Sequence, residues 1–313
     1  MRANVIRDNE LHWEDHDDPV PGDTELLVAV RAAGINSADL VQRMGFYPAP
    51  PGWPSDIPGM EMAGEVVAVG REVTLFAPGD RVMALVGGGA QAELAFVDEM
   101  HALAVPDGLD WPEAGGFTEA FVTAYDAMFT QAALQMGERV LISGAAGGVG
   151  TAGVQLAAAA GARVTATVRN PDHHDAVREL GADVVIAPGE EGQHGPYDVV
   201  LELVGQASLS GVLPYLAPWS RVVVIGVGSG GRMEIDLMQL MTQRIRIGGT
   251  TLRSRTRQEK ADVVAGVRAR VLPWLAAGRL RVPVADTFQL AEAGAAYERF
   301  AAGGKLGKVV LVA

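Results

Sequence analysis

Short apolar runs alternate with glycine, proline and aspartate from Glu25 to about Phe96. Three of these runs, LLVAV, GEVVAVG and DRVMALV, are rich in β-branched residues and have the length of a strand. Only the stretch from Asn36 to Met44 interrupts this pattern, with the spacing of a short helix. The pattern therefore predicts a small β-barrel or sandwich that contains one helix.

A proline-rich loop follows that helix. Five prolines lie between Tyr47 and Pro58. Because proline has no backbone N–H, this loop can donate few hydrogen bonds to a sheet. We expect it to lie over the surface, where it could form a lid or the wall of a pocket.

Strands alternate with helices from about Glu138 onwards. The predicted strands are Arg139–Ser143, Arg163–Val168, Val184–Ala187, Asp198–Leu203, Arg221–Val227 and Arg244–Gly248. The predicted helices are Val149–Ala160, Asp172–Leu180, Ala207–Leu216 (interrupted by Pro214), Gln258–Ala277 and Leu290–Ala301, before a final strand, KVVLV. This alternation predicts an α/β fold in which a doubly wound parallel sheet accompanies the β-rich domain.

Composition and charge narrow the choice of partners. The 313 residues are enough for about two domains, and 49% hydrophobic with 20% charged residues is typical of a soluble globular protein. The net charge of −13 disfavours nucleic acid and anionic membranes as partners. Without cysteine there are no disulfides, thiolate zinc sites, iron–sulfur clusters or cysteine nucleophiles. Because the first 18 residues contain no apolar secretory core, we expect a cytoplasmic location.

A glycine-rich segment joins the first predicted strand of the alternating region to its helix. The segment SGAAGGVG, Ser143–Gly150, reads A-x-G-x-x-G, with Ala145 in place of the first glycine of the dinucleotide-binding pattern. Gly147 would let the backbone approach a pyrophosphate, and Gly150 would let the helix pack closely on the strand. The N–H groups that begin the helix would face the phosphates. The alternative is a tight turn without a ligand.

The end of the second strand bears on the choice of cofactor. An acid there would hold a ribose 2′-hydroxyl, whereas a basic residue would hold a 2′-phosphate. The strand ends Val168-Arg169-Asn170-Pro171, with no acid before Asp172. NADPH is therefore predicted, with the alternative that Arg169 is simply a solvated residue at the start of the next helix.

Motifs along nearly the whole chain resemble one family. The segments NSADLVQRMGFYP, PGMEMAGEV, GDRV, SGAAGGVG, GTTLRSR and GKVVL together resemble the zinc-free quinone oxidoreductases of the medium-chain dehydrogenase/reductase superfamily. The zeta-crystallin and p53-inducible types are the nearest. The resemblance implies a GroES-like catalytic domain at 1–117, an NADPH-binding Rossmann domain at 118–256, and a C-terminal segment at 257–313 that completes the catalytic domain. The resemblance also implies that the substrate binds in the cleft between the catalytic domain and the NADPH-binding domain.

The same resemblance bears on metal dependence. Zinc-using relatives have a cysteine where this chain has Asn36, a histidine where it has Met60, and a further cysteine near Glu119. None of the six histidines shows H-E-x-x-H or comparable spacing. Asp39, Glu61 and Glu119 could supply an oxygen site, although Glu61 more often has a buried structural role beside the cofactor. We therefore predict an enzyme without a metal.

The resemblance implies three catalytic residues. Asn36 and Tyr47 match positions that line the quinone pocket of the family, and Arg253 matches a contact on the nicotinamide side. Tyr47 could instead be an aromatic packing residue, and Arg253 could form a solvated surface pair with Arg255. The implied cofactor-binding residues are Gly144, Ala145, Ala146, Gly147, Gly148, Val149, Gly150, Arg169, Thr123, Gly226, Val227, Leu252 and Lys308.

These observations favour an NADPH-dependent oxidoreductase that passes hydride to a quinone or another conjugated carbonyl. A hydroxyl from Tyr47 or an amide from Asn36 would stabilise the negative charge on the acceptor oxygen, and water can supply the proton. The alternatives are an enoyl reductase acting on an acyl thioester and a nucleotide-sensing protein without turnover. The strand RIRIG, predicted to lie at the edge of the cofactor domain, favours a homodimer formed by sheet extension.

Overall fold

The computed structural model describes all residues, Met1–Ala313. Its strands are β1 (Arg2–Arg7), β2 (Glu10–Asp15), β3 (Glu25–Ile35), β4 (Glu61–Val69), β5 (Arg81–Leu85), β6 (Leu94–Asp98), β7 (Ala102–Ala104), β8 (Arg139–Ile142), β9 (Arg163–Thr167), β10 (Val184–Ile186), β11 (Tyr197–Glu202), β12 (Leu216–Val224), β13 (Arg246–Gly249), β14 (Val284–Gln289) and β15 (Lys308–Val312). Its α-helices are α1 (Ser37–Arg43), α2 (Trp111–Gly115), α3 (Thr118–Tyr125), α4 (Gly148–Ala159), α5 (His174–Glu179), α6 (Gln206–Val212), α7 (Leu237–Gln243), α8 (Arg257–Arg270), α9 (Leu272–Ala276) and α10 (Ala293–Ala301). Short 3₁₀ turns lie at Glu99–His101, Pro171–His173, Glu191–Gln193, Leu213–Tyr215 and Leu290–Glu292, and a π-helical segment at Asp126–Gln131. None of the helices combines the length and apolar character needed to span a bilayer.

The chain forms two compact units. Unit 1 comprises Met1–Val122 and Leu252–Ala313, and unit 2 comprises Thr123–Thr251. Residues 118–122 and 252–256, which the sequence assigned to the cofactor domain, thus belong to unit 1. Hydrogen bonds explain this placement, since the Thr118 hydroxyl donates to the Ala84 carbonyl at 2.8 Å and Arg253 Nε donates to the Gly87 carbonyl at 2.8 Å.

Unit 1 is built on one main sheet with the strand order β14-β15-β3-β4-β5-β7, and β6 also pairs with β3. Its neighbours are antiparallel except for β14 and β15. The C-terminal strand β15 lies beside β3, with Val309 opposite Ile35. Alternating apolar residues of β3 place Leu26, Val28 and Val30 in the core. Between Glu25 and Phe96 the predicted β-rich pattern, interrupted by one helix, is confirmed, with α1 as that helix.

The N-terminal hairpin of unit 1 was not predicted. Strands β1 and β2 pair in antiparallel fashion from Arg2 opposite Asp15 to Arg7 opposite Glu10. The two-residue turn between them consists of Asp8 and Asn9, both at positive φ (50° and 65°). Asp and Asn tolerate this conformation better than other non-glycine residues, so Asp-Asn was the sequence signal for the hairpin.

Unit 2 contains the predicted parallel sheet. All six strands run parallel in the order β10-β9-β8-β11-β12-β13, which is the 3-2-1-4-5-6 order of a doubly wound fold. The strand order reverses between β8 and β11. Because ligands of such sheets bind outside the carboxyl ends of the strands at this point, the topology marks one edge of unit 2 as the candidate cofactor site.

Several helices differ from their predicted spans. The predicted helix Gln258–Ala277 is two helices, α8 and α9, with Pro273 in the first turn of α9, where its missing N–H is tolerated. Proline also limits α6, which gives way to a 3₁₀ turn containing Pro214. Helix α7 was not predicted. Leu237, Met238 and Met241 in it are exposed, and Asp236 caps it by accepting hydrogen bonds from two backbone N–H groups.

Candidate active site

A buried hydrogen-bonded network lies at one end of the main sheet of unit 1. Lys308 Nζ lies 2.6 Å from Glu61 Oε1, 2.6 Å from Asn36 Oδ1 and 3.1 Å from the Ile35 carbonyl oxygen. Asn36 Nδ2 donates to the same Glu61 oxygen at 2.9 Å. Lys308 and Glu61 are buried, whereas Asn36 is partly exposed. All three protons of the Lys308 ammonium therefore have acceptors within unit 1, and Lys308 holds the other two side chains in place.

The strand order explains why these residues meet. Asn36 follows the end of β3, while Glu61 begins β4 and Lys308 begins β15. Both β4 and β15 flank β3 and run antiparallel to it, so the starts of these two strands lie beside the end of β3. Gly34 is required here, because a Cβ atom at this position would lie 2.3 Å from Glu61 Oε1.

The chemistry of the network also fixes the orientation of the Asn36 amide. Lys308 can only donate hydrogen bonds and the ionised Glu61 can only accept them, so Oδ1 faces Lys308 and Nδ2 faces Glu61. This leaves one amide hydrogen of Asn36 without an assigned acceptor in the network. The partly exposed Asn36 thus keeps one donor for a ligand.

Arg253 anchors the proline-rich loop. Its Nε donates to the Gly87 carbonyl at 2.8 Å, Nη1 to the Tyr47 carbonyl at 2.9 Å and Nη2 to Gln42 Oε1 at 2.5 Å. The guanidinium carbon also lies 5.0 Å from the centroid of the Tyr47 ring, which is within cation–π range. Only 6% of Arg253 is exposed, so the alternative of a solvated surface pair with Arg255 is wrong for Arg253.

The Tyr47 hydroxyl has no hydrogen-bond partner in the protein, although its ring is fixed over Arg253. The side chain is half-buried. Burial raises the pKa of the phenol, the neighbouring Glu119 raises it further, and Arg253 lowers it. Tyr47 therefore offers a neutral O–H donor whose position is fixed through its ring.

An aromatic contact also holds the proline-rich loop, which contains no β-strand. Trp53 stacks on Phe96, with ring centroids 4.8 Å apart and planes 11° apart. Gly87 lies directly beneath it, since a Cβ atom there would be 2.5 Å from the indole ring. No strand lies between Tyr47 and Pro58, and the backbone N–H of Trp53 donates within the loop, to the Pro50 carbonyl, which confirms the prediction that this loop donates few hydrogen bonds to a sheet.

Two further acids accompany the network. Asp39 is fully buried and accepts hydrogen bonds from the backbone N–H groups of Asn36 (2.8 Å) and Gly59 (3.1 Å); burial raises its pKa to about 6. Glu119 is partly exposed, and its backbone N–H donates to Glu61 Oε2 at 2.8 Å. Burial, together with the charge of Glu61, raises the pKa of Glu119 to about 8.

Unit 2 forms a glycine loop between β8 and α4. Gly144 has a φ of +62°, in the left-handed region that favours glycine. A Cβ atom on Gly150 would lie 2.6 Å from Ala145 Cα, so only glycine allows this close packing. A Cβ atom on Gly147 would meet nothing closer than 3.6 Å, which leaves open space over the loop. The first N–H groups of α4, including those of Gly148 and Val149, lack intrahelical acceptors and are available to an anion.

A buried carboxylate joins this loop to the end of β11. Glu202 Oε1 accepts hydrogen bonds from Ser143 Oγ (2.7 Å) and from the backbone N–H groups of Val204 (2.7 Å) and Gly205 (2.8 Å). Its other oxygen accepts from Ser208 Oγ at 3.0 Å. Because β8 and β11 flank the reversal of strand order, Glu202 fixes both sides of the candidate cofactor site. Glu202 was not predicted as a site residue, although an acid that ends a buried strand shortly before Gly205 was a usable signal.

The predicted cofactor residues outside the glycine loop differ in their exposure to solvent. Arg169 is exposed, two residues past the end of β9, and its guanidinium makes no hydrogen bond within the chain. Thr123 is buried, Val227 is exposed, and Gly226 is packed so that a Cβ atom would lie 2.1 Å from a backbone oxygen. Leu252 is buried in unit 1. Their roles toward a cofactor stay predictions.

Comparison with known proteins places the chain in a family. An alcohol dehydrogenase GroES-like domain matches residues 22–132, and a zinc-binding dehydrogenase domain matches residues 148–266. The chain is 33% identical over 307 residues to a quinone oxidoreductase of Lama guanicoe, which covers 94% of this chain and 90% of that protein. The chain belongs to the quinone oxidoreductase family of the medium-chain dehydrogenase/reductase superfamily.

Two further similarities accompany this one. The crystal structure of a quinone oxidoreductase from Pseudomonas syringae pv. Tomato DC3000 is 28% identical and covers all of both chains with a TM-score of 0.87. A segment of a spectinabilin polyketide synthase system protein of Streptomyces orinoci is 35% identical over 302 residues, which are 92% of this chain and 13% of that protein. The predicted family and fold class are thus confirmed, and the protein is an oxidoreductase of the medium-chain type.

The residues of the candidate active site do not fit a zinc ion. The chain has no cysteine, and Asn36 and Met60 occupy two of the positions at which the family resemblance would place zinc ligands. Asn36 and Glu61 are already bonded to Lys308. No group of three or more His, Asp or Glu side chains is placed to hold a metal ion, so the alternative oxygen site that included Glu119 is not formed.

Proposed function

We propose that the protein is an NADPH-dependent, metal-independent oxidoreductase that transfers hydride to a quinone or another conjugated carbonyl. The observation that carries this proposal is the Tyr47 hydroxyl, a fixed hydrogen-bond donor without a partner in the protein, in a chain of the quinone oxidoreductase family. A donor of this kind can stabilise an oxygen that gains negative charge during reduction.

The glycine loop fits a dinucleotide. Gly144–Gly150 and the first turn of α4 would hold the pyrophosphate, because their open backbone and free N–H groups match its oxygens and charge. Arg169 would hold the 2′-phosphate that distinguishes NADPH from NADH. NADPH, when bound, supplies the hydride. Glu202 keeps the loops at the ends of β8 and β11 in position for it.

The acceptor would be activated by hydrogen bonds instead of by a metal. Hydride transfer leaves negative charge on the acceptor oxygen, and the Tyr47 hydroxyl and the free amide hydrogen of Asn36 are the donors available to it. Lys308 and Glu61 contribute by fixing the Asn36 amide so that it needs no reorientation during the reaction. In this arrangement Arg253 positions Tyr47 through the loop backbone.

Steady-state NADPH oxidation with a panel of quinones and a panel of enoyl thioesters tests the acceptor class. We expect turnover with quinones. Enoyl thioesters are the second candidate, favoured by the similarity to a segment of a polyketide synthase protein, and turnover with thioesters alone would replace the first proposal. If NADPH binds and neither panel is reduced, the protein is a nucleotide-binding protein without this activity.

Metal analysis tests the proposed metal independence. The purified enzyme is expected to hold no stoichiometric metal and to keep its quinone reductase activity after prolonged treatment with a chelator. One zinc per chain, with activity lost on chelation and restored by zinc, would refute metal independence.

A further inference from the structure

We propose that Glu119 is the proton donor that completes quinone reduction. This inference rests on the proposed function and goes beyond it, because the sequence analysis assigned the proton to water. Glu119 lies in the network that contains Asn36, and its carboxyl group is the member of that network without a hydrogen bond.

The backbone fixes the position of Glu119 at the start of α3. Its N–H donates to Glu61 Oε2 at 2.8 Å, and the preceding residue, Thr118, donates its hydroxyl to the Ala84 carbonyl at 2.8 Å. These two bonds attach the first turn of α3 to β4 and β5. The backbone of Glu119 is thereby held against the carboxylate of the buried Lys308–Glu61 pair, while part of the residue stays accessible.

The surrounding charges leave Glu119 without a counterion. The Lys308 ammonium is committed to Glu61, Asn36 and the Ile35 carbonyl, so it has no proton left to donate to Glu119. Burial favours the neutral acid, and the negative charge of Glu61 adds to this effect. Glu119 therefore keeps its proton at neutral pH, with a pKa of about 8.

Several other charged groups change the pKa of Glu119. The ionisable groups coupled to Glu119 are Glu61, Lys308, Asp39, Arg253, Tyr47 and Lys260. Asp39 raises the pKa of Glu119, while Lys308 and Arg253 lower it by less than burial raises it. Glu119 in turn raises the pKa of the Tyr47 phenol, so the charge states of the two groups are coupled.

In the proposed step, Glu119 transfers its proton to the hydroquinone anion that hydride transfer leaves. Hydride from NADPH carries two electrons and one hydrogen to the quinone, giving NADP⁺ and the hydroquinone monoanion. The O–H bond of Glu119 breaks and an O–H bond forms at the anionic oxygen, either directly or through the Tyr47 hydroxyl. The product is the neutral hydroquinone, and the Glu119 carboxylate regains its proton from water. A donor whose pKa lies near the working pH suits this transfer.

The pH dependence of kcat/KM tests the proposal. Because only protonated Glu119 can donate, wild-type kcat/KM for a methylated benzoquinone should fall as the pH rises through about 8. Glu119→Gln keeps the size of the side chain without an acidic proton. We expect it to lower kcat/KM at pH 7 by about a hundredfold, at the lower end of the roughly 10² to 10⁴ that a general acid usually contributes, and to remove the fall above pH 8.

Glu113→Gln is the matched control. Its carboxyl also has a raised pKa through burial, but it lies in α2 and belongs to no hydrogen bond of the network. This variant should retain the wild-type rate and pH profile. If Glu119→Gln fails to fold, Glu119→Asp takes its place, and it should keep the fall in rate with pH at a reduced overall rate.

A series of acceptors separates proton donation from a structural role. Halogenated quinones give hydroquinone anions that are weak bases and need little help from an acid, whereas methylated quinones give more basic anions. The defect of Glu119→Gln should therefore grow from the halogenated to the methylated acceptors. An equal defect across the series, or an unchanged rate, would overturn the assignment.

Protonation of Glu119 can also be measured without turnover. In the folded protein its pKa lies above its ordinary value of 4.5, so its contribution to stability is greatest below pH 4.5 and is lost as the pH rises to about 8. The stability of the wild type relative to Glu119→Gln, measured by urea unfolding, should fall across this window. A constant difference would mean that Glu119 is ionised at neutral pH and would overturn the proposal.

The outcomes distinguish the two proposals. If the wild type reduces no quinone, the proposed function fails and this inference fails with it. If the wild type reduces quinones and Glu119→Gln matches it in rate, pH profile and acceptor dependence, only the role of Glu119 is refuted.

Discussion

At the scale of single residues, the phenol of Tyr47 is fixed at its ring and left unbonded at its hydroxyl. Tyr47→Phe removes only this hydroxyl. Because no intramolecular hydrogen bond is lost, the melting temperature and the NADPH affinity should not change. The kcat/KM for quinones should fall by about tenfold to a hundredfold, the loss expected for one donor to a developing oxyanion being up to about 10³.

Tyr297→Phe is the contrasting control for Tyr47. The Tyr297 hydroxyl is buried and donates to Gln91 Oε1 at 3.0 Å, so its removal should lower stability and leave the kinetics of the folded enzyme intact. Unchanged kcat/KM in both Tyr47→Phe and Asn36→Ala would remove these residues from the mechanism.

Arg169 is the residue on which the cofactor prediction depends. An exposed guanidinium without a partner can pair with a 2′-phosphate, and a charge-assisted hydrogen bond contributes about 1.5–3 kcal/mol, or about tenfold to a hundredfold in affinity. Arg169→Asp should abolish or reverse the preference for NADPH, as measured by kcat/KM for both cofactors. Arg163→Asp, at the opposite end of β9, is the control and should keep the preference. Equal efficiency of NADH and NADPH in the wild type would contradict the assignment.

At the scale of elements, one ion pair links three strands of unit 1. Lys308 on β15 and Glu61 on β4 meet beside the end of β3, and both are buried. Lys308→Met leaves Glu61 as a buried, unpaired carboxylate. Removing one partner of such a pair costs about 3–5 kcal/mol, so we expect a loss of this size in the free energy of unfolding in urea.

The double variant Lys308→Met/Glu61→Gln checks this explanation. It removes the unpaired charge, so it should recover part of the stability lost in Lys308→Met. Lys305→Met is the control, because the Lys305 ammonium is not part of the network and donates to the Gly307 carbonyl at 3.2 Å. A loss in Lys308→Met no larger than in Lys305→Met would show that the pair is not important for stability.

At the scale of the whole molecule, we propose that the chain is a homodimer. Strand β13 pairs only with β12 and so ends the sheet of unit 2 with unpaired backbone groups. Unit 2 also exposes Trp219, Leu237, Met238 and Met241. Pairing of β13 with its two-fold mate would extend the sheet and satisfy these groups.

Light scattering tests this assembly. The wild type should have twice the 32.8 kDa mass of the chain at micromolar concentration. Leu237→Asp places a charge in the apolar group and should shift the mass toward that of a monomer. Met136→Asp, at a methionine that is even more exposed but lies outside that group, should not change the mass. A monomeric wild type would refute the proposal.

Local patterns were sufficient for the elements of unit 2 and for its glycine loop. Four of the six strands, β8, β10, β11 and β12, contain a run of adjacent apolar residues. The loop from Gly144 to Gly150 requires glycine for reasons that act within a few residues. The strand RIRIG was predicted to be an edge strand, and β13 ends the sheet. The hairpin also had a local signal, the Asp8-Asn9 turn, but the apolar pattern alone did not predict it.

Only the tertiary structure decided the candidate active site. Lys308 and Glu61 are separated by 247 residues, and Arg253 and Gln42 by 211, so no spacing in the sequence predicts that they pair. The same limit applies to Glu119, which sequence reasoning treated only as a possible metal ligand. Its proton affinity depends on burial and on a Lys308 ammonium that is already committed to Glu61. The sequence by itself determined the strands of unit 2, the glycine loop and the family. The packing of distant strands decided which side chains are buried, paired or free, because desolvation and hydrogen bonding depend on neighbours in space.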